Sequence, residues 1–371
     1  MTEQLAVLRQ AERGVERRLR TLVVAAEHGV AIGVRRDAAT VEAEAIQERA
    51  DDLARAQVQL AGAGGHDDGH AERCDEQAMW QRVSDIPDSQ LWAVRQLMKR
   101  KLMGFIRERA RTGWINGHLQ SSQVIARGTL LDPEALTLGF ARRFATYKRA
   151  TLLFRDLDRL KRLLQNHWRP VQLVFAGKAH PADRPGQGVI QDIFGRSRSP
   201  KLRGRVFIME DYDIRIGRYL VQGVDVWLNN PRRPLEASGT SGMKAAMNGV
   251  INCSVLDGWW DEGWTGDNGW AIGGREMNPD EAAQDWADAQ ALYGLLEQEI
   301  VPRWYDRDAS GLPRRWIQTM RRSMGSSVWR FSTARMLEEY VERMYLPASF
   351  IGVVFLALLM APPLLRLFGT S

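Results

Sequence analysis

The chain has 371 residues, 51 Lys and Arg against 45 Asp and Glu, and a formal net charge of +6. Hydrophobic residues make up 44% and charged residues 26%, a globular balance that excludes a disordered or collagen-like polymer. Two cysteines, Cys74 and Cys253, exclude a secreted disulfide scaffold and fit a reducing compartment, and with six scattered histidines they make no tetrahedral metal site.

The first residues, MTEQLAVLRQAERGVERR, hold no apolar signal core. Residues 1–79 contain no aromatic, proline or lysine and pass from an Ala/Arg/Glu-rich stretch into AGAGGHDDGH. An aromatic-free stretch has little with which to build a core. Residues 1–77 therefore read as loose helix plus a flexible linker, or as sequence foreign to the fold, such as the product of a shifted frame. His66 and His70 flank Asp67 and Asp68 and could hold a metal; a solvated linker is the plainer reading. Basic residues are interleaved with acids throughout, so no nucleic-acid partner is expected.

Residues 78–345 read as the globular body. A long basic helix is expected from Ser89 to Arg111. Five apolar runs then read as buried strands: 136–141, 171–177, 205–209, 224–228 and 250–256. Helical stretches lie between them, at about 147–165, 186–197, 213–222 and 240–248, and further helices follow at 280–301, 313–325 and 331–345. Strands alternating with helices imply an α/β fold with a doubly wound parallel sheet. Residues 346–365, LPASFIGVVFLALLMAPPLL, carry no charge. Twenty helical residues reach about 30 Å, enough for a bilayer. A membrane tail and an apolar end packed on the body both stand open.

The most informative stretch is NNPRRPLEASGTSGMKAAMNG, Asn229–Gly249, between a strand and a helix. Its small residues Ala237, Ser238, Gly239, Thr240, Ser241 and Gly242 let a ligand approach the backbone, and the helix start offers free N–H groups and a positive pole. Lys244 is placed in that first turn, where the pole would favour the neutral amine that a Schiff base needs. An aldehyde cofactor bearing a phosphate, pyridoxal phosphate, meets both features. As a bare pattern the stretch also reads as a plain turn with a solvent-exposed lysine.

EASGTSGMK (236–244) resembles the cofactor-lysine signature of the α-glucan phosphorylases. GFARRFATYKR (139–149), FAGKAHPAD (175–183), EDYDIRIGRYLVQGVDVWLNNP (210–231) and LDGWWDEGWTGDNGWAIG (256–273) resemble further family segments in the same order. The resemblance covers about residues 78–345. It implies a Rossmann-like domain, the C-terminal half of a GT-B architecture, that takes part in phosphorolysis of α-1,4-glucans by orthophosphate to give glucose 1-phosphate. It implies pyridoxal phosphate on Lys244. Arg142, Arg143 and Lys148 match the basic residues around the cofactor and substrate phosphates, and Tyr212, Thr240, Ser241 and Gly242 the cofactor contacts. Glu236, Ala237, Ser238 and Gly239 match the glucose-binding loop, which makes Arg143, Lys148 and Glu236 the catalytic group. Asp213 stands where animal enzymes of the family carry an arginine.

From the residues alone, Arg142, Arg143, Lys148 and Arg149 also read as a solvated basic face, and Glu236 as an acid at a helix start. Trp259, Trp260, Trp264 and Trp270 read as fold core before sugar platforms, and Asp257 and Asp261 as acids without a duty. Family members are about twice as long, and His118, His167 and His180 match no catalytic-histidine context. The resemblance thus implies one lobe, in the cytoplasm or held at a membrane through 346–365, completed by a homodimer or a separate N-terminal lobe. The other readings are a nucleotide-sugar glycosyltransferase of the same architecture and a non-catalytic remnant that binds cofactor or glucan.

Overall fold

The computed structural model describes residues 76–115, 131–199, 202 and 204–351. Residues 1–75, with His66 and His70, and residues 116–130, with His118, lie outside them. The chain divides into two compact units, Gln77–Val328 and one that includes residues 329–351.

The larger unit is built on six parallel strands: β1 Leu136–Ala141, β2 Val171–Ala176, β3 Val206–Met209, β4 Val226–Asn229, β5 Ile251–Val255 and β6 Gly269–Ile272. The order across the sheet is β3-β2-β1-β4-β5-β6, that of the dinucleotide-binding doubly wound fold. Strands β1 to β5 are buried along their whole length, as a parallel sheet covered on both faces requires.

The helices are α1 Asp88–Ile115, α2 Leu157–Leu164, α3 Arg184–Arg198, α4 Ile214–Gly223, α5 Thr240–Met247, α6 Glu281–Leu295, α7 Arg314–Ser327 and α8 Thr333–Tyr340. On one face of the sheet Leu102, Met103 and Ile106 of α1, Ile216 and Leu220 of α4 and Ala245 of α5 pack with Ala141, Val174, Phe207 and Trp227. Strand alternation turns Phe140 and Phe175 to the opposite face, where Phe175 meets Phe154 with ring centroids 5.8 Å apart. There the Tyr293 hydroxyl of α6 donates to the carbonyl of Asp156 at 2.9 Å. Three tryptophans, Trp270, Trp304 and Trp316, join β6, the turn Val301–Tyr305 and α7.

Below the sheet, at the amino ends of β1 and β4, α1 sends in Lys99 and Arg95. Lys99 Nζ lies 2.6 Å and Arg95 Nη2 3.3 Å from the buried Asp225 carboxylate, which also accepts from Thr137 N at 2.8 Å. Burial pushes the Lys99 ammonium below its usual value in spite of Asp225.

The five expected strands are present within two residues at each end, and the structure corrects two expectations. A sixth strand, β6, is added; it is four residues long and opens on a glycine, too short for an alternation signal. The helix expected over 147–165 is two short turns, Thr146–Lys148 and Leu152–Phe154, and helix only from Leu157. Arg149 breaks it by taking left-handed backbone angles, φ 47° and ψ 45°.

In the smaller unit α8 starts at Ser332, whose hydroxyl accepts from Arg335 N, and exposes Met336 and Tyr340. Among the described residues no helix is long and apolar enough to cross a membrane. Of the uncharged run 346–365, residues 352–365 lie outside the described residues.

Candidate active site at the carboxyl edge of the sheet

In an open parallel sheet, ligands lie beyond the carboxyl ends of the strands where the winding reverses. Here that point falls between β1 and β4. β1 ends directly on Arg142 and Arg143. The turn Thr146–Lys148 supplies Lys148. β4 ends on Asn229 and opens the loop that carries Glu236 into α5.

These residues meet. Arg142 Nη2 pairs with Glu236 Oε1, and Lys148 Nζ lies 2.8 Å from Glu236 Oε2. All three side chains are almost fully buried. Burial alone would push the Glu236 carboxyl up; Arg142 and Lys148 more than offset it and hold it below the usual carboxylate value. Two cations against one carboxylate leave the cluster at +1. Among the described residues, Arg142 Nη1 is buried without a hydrogen-bond partner. A buried guanidinium N–H aimed at nothing is costly, and an anion is what would satisfy it. Arg143 is exposed.

The loop after β5 holds Glu236 from behind. Asp257 Oδ2 accepts from Glu236 N at 2.8 Å and Oδ1 accepts from Gly258 N at 3.0 Å. Burial pushes the Asp257 carboxyl up, and these two N–H donors only partly offset it. Arg233 reaches the Leu256 carbonyl, and Asp261 lies between Arg233 and Arg275 at 3.3 and 2.7 Å. The two acids without an assigned duty thus fasten the loop. Trp259 N donates to Ser238 O at 2.8 Å. Its indole lies against Gly242, where a Cβ would stand 2.7 Å from both Trp259 Nε1 and Asn252 Oδ1. Trp259, Trp260 and Trp270 are buried, so they serve the fold.

Gly239 precedes α5 at φ 89°, an angle that suits glycine. Ala237, Ser238 and Thr240 are exposed, Gly239 and Ser241 half-buried, and Gly242 buried. Gly242 N donates to Gly239 O at 3.0 Å. Lys244 corrects the sequence expectation. It stands in the last turn of the eight-residue α5, away from the positive pole, so the helix supplies no field that favours the neutral amine. It is exposed and has no ion pair among the described residues.

Tyr212 is half-buried against the α1–α4–α5 cluster, its hydroxyl filling the space over Gly217. Burial, then Asp213, raises its phenol above the usual value. Among the described residues no hydrogen bond or ion pair joins Tyr212 or Lys244 to the Arg142–Lys148–Glu236 cluster. Asp213 is the N-cap of α4, accepting from Ile216 N at 2.7 Å. Arg149 corrects the reading of a solvated basic face: it is buried, its guanidinium spread over Asp285, Asp288 and two main-chain carbonyls. Sequence reasoning did not single out Asp285 and Asp288.

A profile described as carbohydrate phosphorylase matches residues 116–260, which contain the whole Arg142–Lys148–Glu236 cluster and Lys244. The chain is 47% identical over 271 residues to a glycogen phosphorylase of Aquifex aeolicus, covering 73% of this chain and 39% of that one. It is 46% identical over 269 residues to a maltodextrin phosphorylase of Thermococcus litoralis (72% and 31%) and 43% identical over 274 residues to a glycogen phosphorylase of Mycobacterium tuberculosis (74% and 32%). The chain belongs to the α-glucan phosphorylase family. This phosphorylase chain spans between about a third and two fifths of the length of these relatives.

The residues fit a phosphate-bearing aldehyde. An unpartnered Arg142 N–H and the net positive cluster suit a phosphate, the Gly239 turn leaves main chain open to a ligand, and Lys244 presents an uncovered amine.

Proposed function

We infer that this chain is the cofactor-carrying, C-terminal lobe of an α-glucan phosphorylase, which binds pyridoxal phosphate and orthophosphate and acts in the release of glucose 1-phosphate from α-1,4-glucans. The observation that carries the reading is the buried Arg142–Lys148–Glu236 cluster at the β1/β4 switch point, one positive charge in excess and with one guanidinium N–H unpartnered.

Each residue then has a task. Lys244 would hold the cofactor's aldehyde carbon. Arg142, with Tyr212 and the Thr240–Ser241–Gly242 start of α5, would hold its phosphate. Bound there, the cofactor supplies a phosphate that exchanges a proton with orthophosphate. Arg143 and Lys148 would take orthophosphate itself; two phosphates side by side repel, and several cations must neutralise them. Glu236 has a lone pair free on each oxygen beyond its two cation contacts, and with Ala237, Ser238 and Gly239 it would accept from glucose hydroxyls. Asp257 and Trp259 hold that loop still. Pre-set cations of this kind lower a barrier because they need not reorganise as charge moves.

The relatives' greater length supports a second reading for turnover: a further lobe, from a homodimer or a separate polypeptide, would close the cleft and exclude water. Phosphorolysis by the purified chain alone is expected to be weak or absent. The buried free thiol of Cys253 suits the cytoplasm. Attachment through 346–365 is the finer alternative, and carbonate extraction that leaves the chain wholly soluble would exclude it.

The deciding test is borohydride reduction of the chain mixed with pyridoxal phosphate, followed by peptide mass spectrometry. A stable adduct on Lys244, absent from Lys244→Ala, is expected. A glycosyltransferase that uses a nucleotide sugar would give no adduct at that position, and its absence refutes the cofactor reading.

A further inference from the structure

Lys148 reaches Glu236 from a turn that should not hold itself in place. The next residue, Arg149, has left-handed backbone angles, which cost a non-glycine residue about 1 kcal/mol or more and persist only where the surroundings over-determine them. The surroundings here are ionic. Arg149 Nη1 lies 3.0 Å from Asp285 Oδ1 and 2.7 Å from Asp288 Oδ2, both on α6. Its Nε and Nη2 donate to the carbonyls of Asn230 at 2.9 Å and Pro231 at 2.7 Å, and Asn230 Nδ2 donates back to Arg149 O at 2.7 Å. Asp285 is the hub. It is 5% exposed and takes Arg155 Nη2 at 2.6 Å and Arg232 Nη2 at 3.0 Å as well. Arg232 N in turn donates to the carbonyl of Tyr147 at 2.7 Å, inside the same turn. Arg232 Nη1 also meets Glu281 at 2.7 Å. Arg149, Arg155 and Arg232 are thus balanced by Asp285, Asp288 and Glu281, and the network takes no charge from the neighbouring cluster.

We propose that Asp285, from α6 and outside the ligand cleft, is a positioning residue: through Arg149 and Arg232 it fixes the Thr146–Lys148 turn on the loop after β4, and so sets the Lys148 ammonium against Glu236 and the bound phosphate. The proposal rests on the phosphate-site reading above. A carboxylate that merely stabilised the fold would act the same whether or not Lys148 carried a charge. A positioning carboxylate loses its effect when that charge is gone.

The test is a double-mutant cycle on the full chain, with inorganic phosphate titrated by calorimetry and melting followed in parallel. Asp285→Asn and Lys148→Met are each expected to weaken phosphate binding by about tenfold, and the double variant by no more than the worse single one. Arg155→Ala removes one partner of Asp285 without touching the turn, and should leave phosphate affinity within about twofold. If Asp285→Asn does not fold, Asp288→Asn, which takes away one Arg149 contact only, replaces it in the cycle. Losses that multiply in the double variant overturn the proposal, as does an Asp285→Asn chain that binds phosphate like the wild type. A wild-type chain that binds no phosphate refutes the parent reading and this proposal with it; a wild type that binds while the cycle is additive refutes this proposal alone.

Discussion

Glu236 offers the sharpest test of the charge arrangement, because replacing it should move stability and anion affinity in opposite directions. Glu236→Gln keeps the shape and leaves two buried cations, Arg142 and Lys148, facing a neutral amide. Breaking a buried ion pair by neutralising one partner costs about 3–5 kcal/mol. For a unit of this size each kcal/mol is about 2–4 °C in melting temperature, so the variant should melt roughly 6–20 °C lower. The cluster's charge meanwhile rises from +1 to +2. One further unit charge about 6 Å from a phosphate is worth about 2.8 kcal/mol at an effective dielectric of about 20, and roughly half of that after screening at the open side. Phosphate should then bind about tenfold tighter and restore much of the lost melting temperature. Calorimetry with inorganic phosphate and differential scanning fluorimetry across a phosphate series read both quantities. Affinity that falls together with stability would refute the reasoning, since Glu236 would then help to hold the anion.

Gly242→Ala puts a methyl 2.7 Å from both Asn252 Oδ1 and Trp259 Nε1, and should cost about 1–3 kcal/mol in chemical denaturation. Asp225→Asn leaves Arg95 and Lys99 buried without their counter-charge and should cost about 3–5 kcal/mol, lowering the urea midpoint without changing phosphate affinity, because it lies at the opposite end of the strands. Acid should weaken the fold through Glu236. Its carboxyl is held below the unfolded value, so its contribution is full above the ordinary carboxylate range and is lost as pH falls through the folded value. The urea midpoint of Glu236→Gln should therefore fall less steeply than the wild type's between about pH 5 and about pH 3, and equal slopes would refute this.

The parts of the fold that were legible in the sequence are those where one physical demand acts alone. Strands β1 to β5 are buried on both faces, so they must be continuous apolar runs, and runs such as VQLVFA can be read directly. The strand that escaped, β6, is GWAI: short, glycine-led and set among Trp, Asn and Asp whose roles are tertiary. The stretch after Ala145 misled for a different reason. TYKRATLLF has the composition of a helix, but Arg149 gains more from Asp285, Asp288 and two carbonyls than the helix would return, so tertiary contacts override local preference.

The site follows the same division. Glu236 and the basic pair after β1 were legible because strand ends at the switch point mark where ligands lie, whereas the mutual pairing of Arg142, Lys148 and Glu236 joins residues 94 and 88 positions apart and leaves no local signal. The position of Lys244 shows the cost of reading a motif as a unit. Counted from Gly239, Thr240 is the first residue of α5 and Lys244 the fifth, and in an eight-residue helix the fifth already belongs to the last turn. The field that would ready such an amine must then come from its surroundings in the cleft, and the excess positive charge of Arg142, Lys148 and Glu236 is the described group able to supply it. Glu236→Gln, which raises that charge, should for this reason lower the pH at which borohydride-trapped adduct forms on Lys244, and an unchanged pH profile would show that the cluster and the lysine act independently.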